Sequence, residues 1–400
     1  MADGMVAGMA NTVGQSTKLA SSHASHAQPG KPVSPPVYRQ STLTFETVAE
    51  LDAVKGSAFT YGRHGNPTTR QIERLLCDLE GAHGAMLTPS GLSAITTAIS
   101  AVVRPGDHIL VADSVYGPTR EFCDRTLRRW GVDVTYYAPT IGSQIGTLMR
   151  STTRLVVAES PGSLTFEMQD IPALAEAAHW HGALLMIDNT WGTPLHFASF
   201  AHGVDISVHS ASKYIGGHAD LCMGVILAAE PVYGEIRACY RELGLAVGAD
   251  DAALALRGLR TLAPRLACHQ RGAINIAAWL YGRPEVADVL YPALPTAAGH
   301  AIWRRDFTGA CGLFGVLLRD AYDARTVASM VNRLSLFSLG YSWGGFESLV
   351  LPCDPRGTRT ATTWAHEGAL VRFHIGLENV DDLKADLDRA LRTLNDKTTA

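Results

Sequence analysis

From about residue 84 to residue 228 the chain alternates short apolar runs with longer helical stretches, and this alternation constrains the fold more than any other feature. Ala85–Thr88, His108–Ala112, Arg154–Glu159, Ala183–Asp188 and Cys222–Ala228 are of strand length, while Thr69–Gly81 and Ile171–His181 read as helices. In the first of these helices Ile72, Leu75, Leu76 and Leu79 make one apolar stripe. Strands separated by helical crossovers pair in parallel, so a mainly parallel sheet covered by helices on both faces is expected. Such sheets bind ligands beyond the carboxyl ends of their strands, which makes polar residues at those ends the candidates for chemistry.

The richest such end is Ser207-Val208-His209-Ser210-Ala211-Ser212-Lys213-Tyr214-Ile215-Gly216-Gly217. Lys213 beside two hydroxyls, Ser210 and Ser212, suits an amine that condenses with an aldehyde next to a bound phosphate, the needs of pyridoxal phosphate. Taken alone it reads as a surface lysine in a turn, the commoner fate of a lysine, and the residues upstream overturn that reading. Asp188 closes an apolar run upstream, where a carboxylate pairs with a protonated pyridine nitrogen or merely caps the next turn. Ser90 is a candidate N-cap, and the free N–H groups of Gly91 and Leu92 at that helix start suit a phosphate dianion. Tyr116, after the run His108–Ala112, offers an aromatic face for a cofactor ring or is an ordinary buried tyrosine. Arg372 stands in the apolar run Leu370–Ile375, where a charge needs a partner. That partner is either a structural carboxylate such as Glu378 or the carboxylate of a substrate.

Together these segments carry a resemblance. YGRHGNPT from Tyr61, TPSGLSAI, ESPGSLTFEMQDIP, MIDNTW, HSASKYIGGHAD, FSLGYSWGGFESL and VRFHIGLENVDDLKADLD stand in order over roughly residues 36 to 395. In this the chain resembles the Cys/Met-metabolism family of pyridoxal phosphate enzymes. The resemblance implies an α/β protein of the PLP-dependent transferase fold type I, with an N-terminal arm and inter-subunit loop (1–65), a large cofactor-binding domain (66–262) and a smaller C-terminal α/β domain (263–400). It implies that Lys213 holds pyridoxal 5'-phosphate, that Asp188 faces the ring nitrogen and that Tyr116 lies on the ring and takes part in catalysis. Gly91, Leu92, Ser210 and Ser212 would bind the phosphate. Tyr61 and Arg63 would reach the phosphate of a partner subunit, where the planar fork of Arg suits that anion. Arg372 would take the substrate carboxylate, with Tyr341, Ser342 and Trp343 forming one wall of the pocket.

ESPGS and YSWGG are similar to the β-lyase branch of that family. The implied reaction is β-elimination of L-cystathionine to homocysteine, pyruvate and ammonia, a step of methionine biosynthesis, with other cysteine S-conjugates as further substrates. Alternatives within the class are a cystathionine γ-synthase or γ-lyase and a cysteine desulfhydrase. A pyridoxal phosphate-binding regulator is the alternative from another class. The resemblance also implies a homo-oligomer, a dimer of dimers whose sites are shared between subunits.

Composition bounds this reading. Four hundred residues are many for a single core, so a large and a smaller domain are expected. The 46% hydrophobic and 18% charged content is that of a soluble globule, and a net charge of −4 gives no reason to expect nucleic acid or a membrane surface. Seven scattered cysteines without a close pair read as reduced thiols of a cytoplasmic protein, with no structural metal. Residues 1–36 lack the pattern of a signal peptide and read as a partly disordered arm, extended over Lys31–Tyr38. Downstream, Ala252–Tyr281 reads as one long helix whose Arg257, Arg260, Arg265 and Arg271 form a solvated or inter-subunit face. The C-terminal part reads as strand 312–318, helix 324–334, an irregular stretch 337–349, strand 370–375 and helix 380–394.

Overall fold

The computed structural model describes residues 14–21, 33–54 and 60–395. Its first sheet contains β1 (Gly84–Thr88), β2 (His108–Ala112), β3 (Asp133–Tyr137), β4 (Thr153–Glu159), β5 (Leu184–Asp188), β6 (Ile206–Ser210) and β7 (Gly224–Ala228). Their spatial order is β1-β7-β6-β5-β4-β2-β3. Only β7 runs antiparallel to its neighbours, so the sheet is mainly parallel as expected. β1, β2 and β7 are buried at every position, which requires cover on both faces, and the helices Pro67–Glu80, Gly91–Val102 and Ile171–Trp180 pack against the sheet.

Local chemistry fixes where these helices begin. Asn66 Oδ1 accepts from the Thr69 N–H and Thr69 Oγ1 from the Asn66 N–H, both at 3.0 Å, with Pro67 at the first helical position. This reciprocal cap turns the chain sharply out of the Tyr61–Gly65 loop. Ser90 Oγ accepts from the Ser93 N–H at 3.1 Å and starts the helix Gly91–Val102 directly after β1.

The second sheet contains β8 (Val286–Leu290), β9 (Leu313–Leu318), β10 (Ser338–Leu339), β11 (Leu349–Cys353) and β12 (Leu370–His374), ordered β10-β11-β12-β9-β8. It is antiparallel except for the β10–β11 pairing. One continuous set of buried apolar side chains underlies both sheets.

Several expectations need correction. The stretch 252–281 is two helices, Ala249–Arg260 and Leu262–Tyr281, broken at Thr261. Arg265 is no solvated residue: its buried guanidinium donates to Tyr214 O and Gly258 O, both at 2.8 Å, and to Thr261 Oγ1 at 3.1 Å. It thus binds a carbonyl at the helix break, and burial lowers its pKa to about 10. Arg260 donates to Leu19 O at 2.5 Å. Within the expected loose arm, Gln15–Ser21 forms a helix with Leu19 buried; the rest of that expectation, residues 1–13 and 22–32, lies outside the described residues. The stretch read as irregular contains β10 and runs into β11, and β3 and β8 were not expected at all.

Candidate active site

The carboxyl ends of β4, β5 and β6, the turn after β2 and the start of the helix after β1 converge on a cavity of about 700 Å³, closed on its far side by the second sheet. Lys213, Asp188, Tyr116, Gly91, Leu92, Ser210, Ser212, Tyr341, Ser342, Trp343 and Arg372 all line it. Tyr61 and Arg63 do not. Tyr61 directly precedes the short turn Gly62–His64 without a side-chain capping bond, and Arg63 lines a separate small pocket with Arg70, Glu73 and Arg241.

Lys213 lies in the turn after β6. Its Nζ donates to Ser342 Oγ at 2.5 Å and stands 5.6 Å from the centre of the Trp343 ring. Burial first, then the nearby Arg372 charge, brings its pKa down to about 8. The Tyr341–Gly345 loop can approach this closely because Gly344 has φ +87° and no side chain. A Cβ there would stand 2.8 Å from Tyr214 N and 3.0 Å from Lys213 Cα.

Asp188 ends β5. Its Oδ1 accepts from the Thr190 N–H at 3.0 Å and from Thr190 Oγ1 at 2.5 Å, while Thr190 Oγ1 accepts from the Ser210 N–H at 2.9 Å. Burial raises its pKa, opposed by the Thr190 bonds and by the His209 and Lys213 charges. A carboxylate held this way gains most from a buried cation placed opposite it.

Glu159, directly across from Asp188 on β4, was not singled out in the sequence. Its pKa is raised well above the usual range by burial and by Asp188, and its Oε2 accepts from the Tyr116 N–H at 2.6 Å. The signal was available, an acid closing an apolar run just as Asp188 does. Cys222 and Cys353 also line the cavity, and nothing in their surroundings along the chain marks them.

At the other end of the cavity, Gly91 packs so closely on Ser210 that a Cβ would come 2.6 Å from Ser210 Cβ and 2.8 Å from Ser210 Oγ. The first N–H groups of a helix have no partner within it, and here they begin beside the Ser210 hydroxyl. Ser212 is less free: its Oγ donates to Met223 O at 3.3 Å and accepts from the Met223 N–H at 3.0 Å. Arg372 donates to Ser342 O at 3.1 Å. Glu378 is not its partner, because that carboxylate accepts from the Ser348 N–H at 2.6 Å and Ser348 Oγ at 2.8 Å.

An amine of lowered pKa, a buried carboxyl at a strand end and a glycine-lined helix start fit the three polar ends of pyridoxal phosphate. The model of the family described as Cys/Met metabolism PLP-dependent enzyme matches residues 16–392. The chain belongs to this family. Pyridoxal phosphate is therefore its cofactor, and the fold is that of the family. A chain from Rhizobium johnstonii named putative cystathionine β-lyase is 46% identical over 360 residues, 89% of this chain and 90% of its own. The cystathionine β-lyase MetC of Escherichia coli is 39% identical over 88% of this chain and 91% of its own. The crystal structure of metB from Corynebacterium glutamicum superposes with a TM-score of 0.87 at 29% identity, covering 96% of this chain and 99% of that one.

Among the described residues no group of three or more His, Cys, Asp or Glu is placed to hold a metal ion, and no helix is long and apolar enough to cross a membrane. All seven cysteines are free.

Proposed function

We propose that this family member is a carbon–sulfur lyase that removes the β-thioether of L-cystathionine, giving homocysteine, pyruvate and ammonia. The observation that carries the reading is that a single residue, Ser342 of the YSWGG loop, touches both Lys213 and Arg372. An α-amino acid whose carboxylate is held by Arg372 then presents its α-carbon to the Lys213 amine. The cystathionine β-lyases among the relatives support the choice of substrate.

Pyridoxal phosphate, when bound, supplies an aldehyde for amines and a ring that takes up electrons released at the α-carbon. In this reading Gly91, Leu92, Ser210 and, more weakly, Ser212 hold its phosphate. Asp188, oriented by Thr190, keeps the ring nitrogen protonated. Tyr116, which lines the cavity with its backbone N–H anchored on Glu159, would pack on the bound cofactor and exclude water from it. Arg372 fixes the substrate carboxylate by a paired, largely desolvated charge. Lys213 Nζ would take the α-proton as a neutral amine, the Cβ–S electron pair would leave with the thiolate, which takes up a proton as homocysteine, and one water would supply the oxygen of pyruvate as ammonia is released.

The reading extends to assembly. Tyr61 and Arg63 complete the site of a neighbouring copy, the active unit is a two-fold dimer, pairs of dimers form a homotetramer, and the protein works in the cytoplasm. The deciding experiment is product identification after incubating the cofactor-loaded protein with L-cystathionine. Pyruvate with homocysteine is expected; 2-oxobutyrate with cysteine would replace the β-lyase reading by a γ-lyase one.

A further inference from the structure

The segment between β11 and β12 is bound to the first sheet through one buried carboxylate. Asp113, the residue after β2, accepts from the N–H groups of Thr360 (2.9 Å), Ala361 (3.1 Å) and Thr362 (2.8 Å), from Thr362 Oγ1 (2.7 Å) and from Arg120 Nη2 (2.5 Å). Its side chain is fully buried. The buried Arg359 guanidinium stands 3.8 Å from the same carboxylate and pairs with Glu167 at 2.7 Å, on the segment that follows β4. Arg120 in turn lies over the Tyr136 ring, 3.5 Å from its centre. A buried carboxylate is costly unless its lone pairs are met, and here the donors that meet them come mostly from a chain segment about 247 residues away.

The position of this strap gives it a consequence for the site. Leu351, Pro352 and Cys353, just before it, line the cavity, and β12, just after it, carries Arg372. Three residues beyond Asp113 is Tyr116, on the opposite wall. The strap therefore ties the wall that bears Arg372 to the wall that bears Tyr116 and the cofactor end of the cavity.

We propose that Asp113 is a positioning residue that sets the separation of these two walls, and with it the length of amino-acid side chain that fits between Arg372 and the cofactor end. The proposal rests on the reading of Arg372 as the carboxylate anchor. Asp113→Asn tests it at nearly constant shape: one carboxylate oxygen becomes an NH₂ facing donors, and Arg120 and Arg359 lose their shared anion. Thr362→Val is a milder companion that removes a single hydroxyl donor.

Wild type and both variants, each loaded with cofactor, are compared for trypsin cleavage after Arg356 and Arg359 and for kcat and KM with L-cystathionine. Asp113→Asn is expected to be cut in the strap about tenfold faster. Its KM should rise roughly ten- to a hundredfold, with kcat and cofactor absorbance kept within about twofold. Thr362→Val should move the same two quantities by less. Wild-type cleavage and KM in Asp113→Asn overturn the proposal, as does a loss of kcat and cofactor in step with KM, which marks a purely structural role. If Asp113→Asn does not fold, Thr362→Val decides alone, and wild-type cleavage with wild-type KM overturns the idea. A wild-type protein inactive on cystathionine contradicts the proposed substrate instead, while the cleavage comparison still tests the strap.

Discussion

Lys213 Nζ and Ser342 Oγ meet at 2.5 Å across 129 residues of sequence, and the contact joins the two sheets over the cavity. Ser342 makes it with φ +76°, a left-handed backbone that a non-glycine residue holds at a cost of order 1–3 kcal/mol. Its own carbonyl accepts from Arg372. The strain is thus located where the amine and the carboxylate anchor are set relative to each other, and a substrate carboxylate would compete with that carbonyl for Arg372.

Arg372→Ala should therefore weaken substrate binding by ~2–5 kcal/mol, the range for removing one partner of a desolvated charge pair. Cofactor absorbance should stay at the wild-type level, because Arg372 reaches the Ser342 carbonyl and no phosphate-side residue. Titration with a non-reacting amino-acid analogue reads the affinity directly. Loss of cofactor with unchanged analogue affinity would give Arg372 a structural role.

The lowered pKa of Lys213 makes a second, pH-dependent prediction. In cofactor-free protein the amine attacks the aldehyde only when neutral, so the loading rate should climb about tenfold per pH unit below pH 8 and level off above it. A lysine at the ordinary 10.5 would keep climbing. The same shift affects stability. Between about pH 8 and 10.5 the unfolded chain still holds the proton that the folded site has released, so cofactor-free protein should gain stability as pH rises through that window. Lys213→Met should lack this gain in urea denaturation at the two ends of the window.

The first sheet was legible because each buried parallel strand is a continuous apolar run, as in His108–Ala112, which matches β2 residue for residue. β3 was not, because Asp133–Tyr137 is a partly exposed edge strand paired on one side only, with a mixed polar sequence. The break at Thr261 did leave a mark, with Gly258 three residues before it and Pro264 in the first turn of the following helix, but the buried Arg265 that satisfies a carbonyl there looks in sequence like any surface arginine. Position at a strand end made Asp188 and Lys213 candidates, but each alone kept a bland alternative, a turn cap and a surface lysine, until the resemblance was added. Asp113 was invisible because its partners Thr360–Thr362 lie about 247 residues away along the chain, and Cys353 because the opposite side of the cavity it lines is built by the first sheet. For Arg372 the sequence offered Glu378, and tertiary structure gave that carboxylate to Ser348 instead.

Tyr61 and Arg63 lie outside the Lys213 cavity of their own chain, and from this follows a complementation test of the shared site. Arg63→Ala and Lys213→Ala should each be inactive alone. In a mixed two-fold dimer one site receives both defects and the other neither, so random reassociation of equal amounts should restore about a quarter of wild-type sites. Subunit exchange is checked by mass. Exchange without recovered activity would return Arg63 to its own chain's pocket.

Lys213 is the residue proposed to carry the cofactor, and it can be trapped by borohydride reduction of the cofactor-loaded protein followed by peptide mapping. The reduced cofactor should be found on the peptide containing Lys213, with none fixed in Lys213→Ala. Cofactor fixed instead on Lys18, Lys31, Lys55, Lys384 or Lys397 would contradict that assignment.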